Sequence, residues 1–347
     1  MGMFPMISRM LLAVVLCCLP GLPGLQAQTL KIATIAPEGS SWMSKMREGA
    51  AEILKRTEGR VVFKFYGGGV QGNDKQVQRK MRTGQLHGGV FTSGSMHGFQ
   101  KNADIYGLPM MFNNLDEVTY VRKRLDPTLR QELEDAGYVN FGYAGGGFAY
   151  MMSNRPMRSL DDLKGQKVWT PEGDAISFAA LQALGVAPVT MPLTDVMTGL
   201  QTDLLNSVTV SPIGAVVLQW HTQLKYITDL PVAYVYGAML ITHKAFDRLE
   251  PPDQSIVREI MERIYRQFDH DSIAENDNAM QALKESGLKL VKPDAAEVAS
   301  WRRIVTDSNR AQAQAGVFDP KLLDRIQEVL QGYRDANPPV GAAADQQ

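Results

Sequence analysis

One unbroken helical segment near the carboxyl end does most to limit what this chain can fold into. No proline or glycine interrupts the sequence from Asp253 to Ser286. At about 1.5 Å per residue this segment would form a helix about 50 Å long, longer than one domain of a chain this size, so we expect it to span two domains. Gly287 is placed to end it. Apolar residues recur along the segment and predict a buried stripe: Ile256, Ile260, Ile264 and Phe268 at every fourth position, continued by Ile273, Met280 and Leu283.

The rest of the chain contains two blocks in which short apolar strands alternate with helices. Such alternation predicts parallel α/β sheets. About 320 residues is also more than one hydrophobic core usually serves. We therefore expect an α/β domain I from residues 28–150 with part of 240–347, an α/β domain II from residues 151–240, and the long helix 253–286 between them.

Three local features carry further expectations. A helix over 116–135 should be broken near Pro127, because proline removes a backbone donor inside a helix. Residues 232–236 and 239–242 read as two separate strands. The run Gly145–Gly147 marks a place where the backbone bends or lies close to another group.

The first 27 residues have the features of a secretory signal peptide. Arg9 precedes an apolar run, and small residues ending at Ala27 form a cleavage site. Both cysteines, Cys17 and Cys18, lie in this segment, and a mature chain without cysteine suits an oxidising compartment. The sequence therefore predicts a periplasmic protein.

The charge of the mature chain argues against nucleic acid as a partner. Removing Arg9 leaves 35 of the 36 Lys and Arg residues against 37 Asp and Glu residues, without a basic cluster. Affinity for phosphate backbones depends on such clusters. No later apolar run reaches the roughly 18 residues that cross a bilayer. The Pro/Ala/Gln-rich tail 337–347 is expected to be disordered.

The motifs of enzymes and nucleotide-binding proteins are weak here. Residues 67–72 fit GxGxxG, but Thr92 and Ser93 stand at the end of the following strand, where the dinucleotide pattern has an acid. The five histidines lack metal-ligand spacing, and HExxH, CxxC and GxSxG motifs are missing from the sequence. We predict no enzyme, no nucleotide, no cofactor and no metal, and no catalytic residue is assigned.

Three acids near strand-to-helix junctions have two interpretations. Glu38, Glu172 and Asp174 are ordinary turn or capping residues in the simpler one. In the other, an acid faces a cationic group that also rests on an aromatic ring.

Several stretches of the chain resemble the extracytoplasmic solute-binding proteins of tripartite ATP-independent periplasmic (TRAP) transporters, of the dicarboxylate-binding (DctP) type. The resemblance implies a two-domain, periplasmic-binding-protein-like (Venus flytrap) α/β fold with crossing hinge strands and a long helix spanning both domains. It implies capture of a small solute in the interdomain cleft and delivery to membrane subunits driven by an ion gradient. The matching stretches are 55–61, 107–112, 153–167, 184–188 and 200–202, of which Asp162-Leu-Lys-Gly-Gln-Lys167 is the most specific.

This chain differs from the family at the two positions where family members have arginines that bind the solute's carboxylate. Trp169 occupies one such position, and Ala149 or its neighbour Phe148 occupies the other. An indole has one N–H and no charge, so it does not replace a guanidinium that grips a carboxylate with two hydrogen bonds. Arg155 and Arg158 are the nearest arginines in sequence that could substitute. The resemblance therefore implies a solute other than a simple dicarboxylate.

We expect the solute to contact residues of both domains. An alternative of another class keeps the fold but serves as a ligand-sensing or scaffold module for a signalling partner. Trp42 and Trp220 fit a core and a pocket equally well. The candidate substrate-binding residues are Thr92, Ser93, Trp169, Thr209 and Ser211, with Phe148, Tyr150, Tyr236 and Glu38 as further candidates.

The signal peptide carries the first prediction. N-terminal sequencing of the protein from the cell envelope should begin near Gln28, because cleavage follows Ala27. A mature protein that retains its first 27 residues would show that the segment is an anchor.

Overall fold

The structure, a computed structural model, describes residues 27–338. The predicted signal peptide and most of the predicted tail lie outside these residues. None of the helices in the described part of the chain combines the length and the apolarity that a bilayer span requires.

Within residues 27–338, ten strands and twelve α-helices follow one another along the chain. The strands are β1 Gln28–Thr34, β2 Val61–Tyr66, β3 Gly88–Thr92, β4 Tyr138–Asn140, β5 Ala144–Ser153, β6 Trp169–Pro171, β7 Val189–Met191, β8 Ser207–Val210, β9 Tyr226–Thr242 and β10 Lys289–Val291. The helices are α1 Ser41–Arg56, α2 Asp74–Arg82, α3 Ser93–Met96, α4 Leu115–Asp135, α5 Leu160–Leu163, α6 Ala175–Ala183, α7 Val196–Gln201, α8 Pro212–Val217, α9 His243–Phe246, α10 Pro251–Glu285, α11 Ala295–Gln314 and α12 Pro320–Ala336.

One continuous sheet runs through the molecule in the order β2-β1-β3-β9-β5-β8, with β4 and β10 also pairing with β9. Strands β1, β2 and β3 are parallel, as the first alternating block predicts. Strands β6 and β7 form a separate parallel pair, joined to β8 by a bridge between Val168 and Ser207. The predicted α/β architecture is therefore present in both halves of the chain.

Strands β5 and β9 are the hinge strands that cross from one domain to the other. The 17-residue β9 pairs with β10 at its beginning and with β3 and β4 at its end. The expectation of two strands over 232–242 is wrong, because Gly237 continues the strand in antiparallel register with Thr92 of β3 and Ala144 of β5.

The long helix α10 spans both domains, as the sequence predicts. Its first part packs in a core with α1, β1 and β2, where Ile260, Ile264 and Phe268 are buried. Its last part reaches a different core, in which Leu283 lies with Trp220. The helix begins with two prolines, which fit the first turn because their missing N–H groups have no partner there.

Helix α4 differs from the expectation at Pro127. It is one continuous helix from Leu115 to Asp135. Val121, Leu125 and Leu129 form an uninterrupted buried face on this helix. Packing along that face stabilises the helical turns on both sides of the proline.

The glycine run lies where hinge strand β5 contacts α10. A Cβ on Gly145 would stand 2.8 Å from Oδ1 of Asp269, and one on Gly147 would stand 2.6 Å from Nδ2 of Asn276. Only glycine permits so close an approach, and Gly147 also has a positive φ of 80°. The predicted close approach is therefore made by the long helix.

Burial along α10 gives a matched pair of variants. Ile264→Ala should lower the free energy of unfolding by about 2–5 kcal/mol, because it removes a buried side chain and leaves a cavity. The expectation that Ile273 continues the buried stripe is wrong, because this side chain is 50% exposed. Ile273→Ala on the same helix should therefore change the free energy of unfolding by about 0.5 kcal/mol or less. Urea unfolding of both variants measures the difference, and equal losses would contradict the packing of this helix.

Candidate ligand-binding site

A cavity of about 350 Å³ lies between the two domains. This is within the usual volume of a small-molecule pocket. Its walls come from the loop after β1 and the end of β3 on one side, from β6, α6 and α8 on the other, and from the hinge strands between them. Most of the wall is aliphatic or aromatic.

Six of the nine candidate residues lie in this wall. Thr92 and Ser93 stand at the junction of β3 and α3, and Thr209 and Ser211 stand at the end of β8. The carboxyl ends of strands in such sheets are where ligands usually bind. The other two wall residues are Trp169 and Tyr236.

Trp169 lies in the wall but is also firmly packed. It is 6% exposed, and its ring meets that of Trp220 edge to face at 5.2 Å. Its Nε1 donates a hydrogen bond to the carbonyl oxygen of Met191 at 3.0 Å. The indole therefore offers a ligand its carbon surface, because its single donor is already used.

Phe148, Tyr150 and Glu38 do not belong to the wall. Successive residues of a strand point to opposite sides, and Ala149 faces the cavity between Phe148 and Tyr150. The resemblance implies that either Ala149 or Phe148 replaces a family arginine. Of these two residues, Ala149 is the one that faces the cavity. Glu38 is exposed and pairs with Arg47, both of its oxygens lying 2.8 Å from Nη2.

Both tryptophans left open by the sequence contact the cavity while packing on neighbours. Trp42 stacks on Phe268 of the long helix at 4.2 Å, and Trp220 packs on Trp169. Tyr234 and Trp301 also line the cavity, and sequence reasoning missed them. Tyr234 lies two residues before Tyr236 on the same strand, so the alternation of side chains along a strand could have indicated it. Trp301 lies on a helix 65 residues after Tyr236, and no local pattern connects it with the cavity.

The wall contains no arginine, lysine or histidine among the residues that the structure describes. Arg155 and Arg158 are not part of it. The buried Arg122 is used by Asp126, Asp269, Tyr234 and the carbonyl oxygen of Tyr143. The carboxylate-binding guanidinium of the family has no replacement in this wall.

Asp174 is the one carboxyl group in the described wall. It caps α6, since Oδ1 accepts a hydrogen bond from the backbone N–H of Ser177 at 2.9 Å. Burial, with the nearby charge of Asp104, raises the pKa of this carboxyl to about 6. Its capping role fits the simpler interpretation of this acid, and its place in the wall keeps the second interpretation open.

The two domains touch beside the cavity. Nδ2 of Asn73, which caps α2, donates to Oε2 of Glu172 at 3.2 Å. A Cβ on Gly94 would lie 3.1 Å from Oδ2 of Asp174 on the opposite side. The structure therefore has a closed cleft.

A cavity closed between two α/β domains that share hinge strands is the architecture of a solute-binding receptor. Solved TRAP periplasmic solute binding proteins have the same fold. One from Desulfovibrio salexigens with bound orotic acid has a TM-score of 0.80 at 18% identity, covering 88% of this chain and 99% of that one. Another from Sulfurospirillum deleyianum with bound succinate has a TM-score of 0.80 at 15% identity, covering 87% and 99%.

The family model of the bacterial extracellular solute-binding proteins, family 7 (DctP), matches residues 32–314, and the chain belongs to this family. It is 23% identical over 278 residues to the 2,3-diketo-L-gulonate-binding periplasmic protein YiaO of Escherichia coli, covering 77% of this chain and 82% of that protein. The family consists of transport receptors rather than enzymes. The comparisons do not favour the sensing or scaffold alternative.

The raised pKa of Asp174 has a consequence for stability. A carboxyl whose pKa is higher in the folded than in the unfolded protein destabilises the fold as pH rises through its folded pKa of about 6. Asp174→Asn removes that charge and keeps a good helix cap. We expect it to raise the melting temperature at pH 7.5 and to change it little at pH 4. The pKa of His97 is raised by its hydrogen bond with Asp104 and, to a smaller extent, by the charge of Asp174, so the gain is smaller wherever His97 is protonated.

A control for this comparison is Asp161→Asn, because the Asp161 side chain is 84% exposed. It should shift the melting temperature little at either pH. If Asp174→Asn melted at a lower temperature than the parent at pH 7.5, the claim that the buried charge of Asp174 destabilises the fold would be wrong.

Proposed function

We propose that this protein is a periplasmic receptor that captures an uncharged, aromatic or cationic solute and delivers it to the membrane subunits of a TRAP transporter. The observation that carries the choice of solute is the wall of the cavity, which lacks cationic side chains among the described residues. The family supports the role in transport.

An anionic solute would be poorly held in this wall. Burying an ionised carboxylate without a charged partner costs several kcal/mol even after relaxation. The hydroxyl groups of Thr92, Ser93 and Thr209 are neutral donors, each worth only about 0.5–1.5 kcal/mol. The deficit is larger because Asp174 adds a negative charge in the same wall.

The wall is better matched to flat or apolar groups. Tyr234 and Tyr236 stack at 5.8 Å beside the cavity, and Trp42 and Trp169 add further aromatic surface. The hydroxyl of Tyr236 already donates to the carbonyl oxygen of Ala103 at 2.6 Å. Tyr236 therefore offers a solute apolar contact rather than a hydrogen bond.

A cationic group would find a partner in Asp174. Its Oδ1 accepts a hydrogen bond from the backbone N–H of Ser177, and the described wall holds no cationic side chain beside it. Aromatic faces in the same wall would add about 0.5–2 kcal/mol of cation attraction, depending on desolvation. Both contributions favour an amine over a carboxylate of the same shape.

Delivery to membrane subunits would depend on closure. Binding between two domains draws them together about hinge strands β5 and β9, and the closed surface would be what the membrane subunits recognise. Export to the periplasm, with cleavage near Ala27, would place the protein where those subunits are accessible.

Three probes of nearly equal shape test the solute class: benzamide, benzylamine and benzoate. Isothermal titration of the mature protein should show binding of the amide and the amine, and benzoate and succinate should bind at least tenfold more weakly. Asp174→Asn should weaken benzylamine and leave benzamide nearly unchanged. Tighter binding of benzoate or succinate than of benzamide would overturn the proposal.

A further inference from the structure

Part of the cavity lies beyond the cleft, between α6, hinge strand β9 and α11. We call this part the inner chamber, and it is lined by Met110, Leu181, Leu184, Val232, Trp301 and Val305. These side chains come from the loop before α4, from α6, from hinge strand β9 and from α11. All of them are apolar or aromatic.

Trp301 carries a hydrogen-bond donor without an acceptor. The residue is 3% exposed, and its Nε1 is buried without a hydrogen-bond partner. Leaving such a donor unpaired costs about 1–3 kcal/mol, so native interiors seldom contain one. Trp169, in the same cavity, shows the usual arrangement, because its Nε1 donates to Met191. The ring of Trp301 lines the cavity, and a rotation of this side chain would bring the buried donor to the oxygen of an occupant.

Met110 reaches the inner chamber through a backbone conformation that residues other than glycine rarely adopt. Its φ is 57°, in the left-handed region. Its N–H donates to the carbonyl oxygen of Val232 at 2.6 Å, and its own carbonyl oxygen accepts from Nη1 of Arg302 at 2.7 Å. Strained residues held in place by their surroundings concentrate at ligand sites. The flexible methionine side chain is suited to a wall that adapts to its contents.

We infer that the inner chamber binds an apolar segment of the solute, aliphatic or aromatic, that bears one hydrogen-bond acceptor oxygen for Nε1 of Trp301. The inference rests on the proposed function, since it concerns the same cavity and specifies the chemistry of its uncharged solute. Ser177 and Thr228 add hydroxyl groups to the wall but no charge. A hydrophilic solute would leave the apolar surface of the inner chamber unused.

Straight-chain 2-alkanones, from 2-hexanone to 2-undecanone, are suitable probes because they are uncharged and carry one acceptor oxygen. Affinity should rise by up to about fourfold for each added methylene until the inner chamber is full. The measurement is displacement of the neutral fluorescent dye N-phenyl-1-naphthylamine from the mature protein.

Two variants separate the donor from the space. Trp301→Phe keeps an aromatic ring but removes the N–H, and it should weaken 2-nonanone by about threefold to tenfold. Butylbenzene, which has no comparable acceptor, should bind this variant as it binds the parent. Nε1 of Trp301 makes no hydrogen bond in the protein, so Trp301→Phe removes none. A lower melting temperature of this variant would therefore not be due to a lost hydrogen bond.

Ala180 lies on α6, lines the cavity and is 3% exposed. The larger side chain in Ala180→Leu should therefore occupy part of the cavity. It should weaken 2-nonanone and butylbenzene at least tenfold while weakening benzamide much less. Ala183→Leu is the matched control, since Ala183 is exposed on the same helix, and it should leave all three affinities unchanged.

Affinities that do not rise with chain length, or that survive Ala180→Leu unchanged, would overturn the inference. Equal affinity of 2-nonanone for the parent and for Trp301→Phe would overturn the role of the donor. If benzamide binds and the alkanones do not, the inference about the inner chamber is wrong, whereas the proposal of an uncharged solute is supported. Preference for benzoate or succinate would instead refute the proposed solute class.

Discussion

The carboxylate of Asp269 is the contact on which the arrangement of the two domains depends. It lies on the long helix and accepts hydrogen bonds from the backbone N–H of Gly145 at 2.6 Å and from Nη1 of Arg122 at 2.8 Å. Arg122 in turn binds the hydroxyl of Tyr234 on the other hinge strand. One carboxylate thereby joins the long helix, helix α4 and both hinge strands.

Asn276 makes a second connection two turns further along the long helix. Its Nδ2 donates to the carbonyl oxygen of Gly146 at 3.0 Å, and its Oδ1 accepts from the backbone N–H of Ile213 in the second domain at 3.3 Å. The absence of a Cβ at Gly145 and Gly147 lets the strand lie this close to the helix. Hydrogen bonds from the Asn276 side chain to backbone groups therefore hold the hinge strand and the second domain against the long helix. The side chains that point away from this helix can contact the solute.

The distribution of charge separates the mechanical part of the protein from the binding part. The guanidinium nearest the hinge, that of Arg122, is fully engaged in holding the strands. The cavity wall beyond it has aromatic rings, hydroxyl groups and Asp174. This chain shares its fold with receptors solved with bound orotic acid and succinate. The fold alone does not determine the ligand, which depends on the few side chains at the ends of the strands.

The sequence by itself determined the repeating α/β pattern, the long helix and the glycine run, because periodicity and the absence of helix breakers are local properties. The family resemblance implied that Trp169, together with Ala149 or Phe148, stands where the family has arginines. The tertiary structure decided that β9 is one strand, that α4 continues through Pro127, and that Ala149 rather than Phe148 faces the cavity. Only the structure brought Met110, Ala180 and Trp301 into one wall, since these residues lie on elements far apart in the chain. Their proximity depends on long-range packing between helices and hinge strands, which leaves no periodic signal in the sequence.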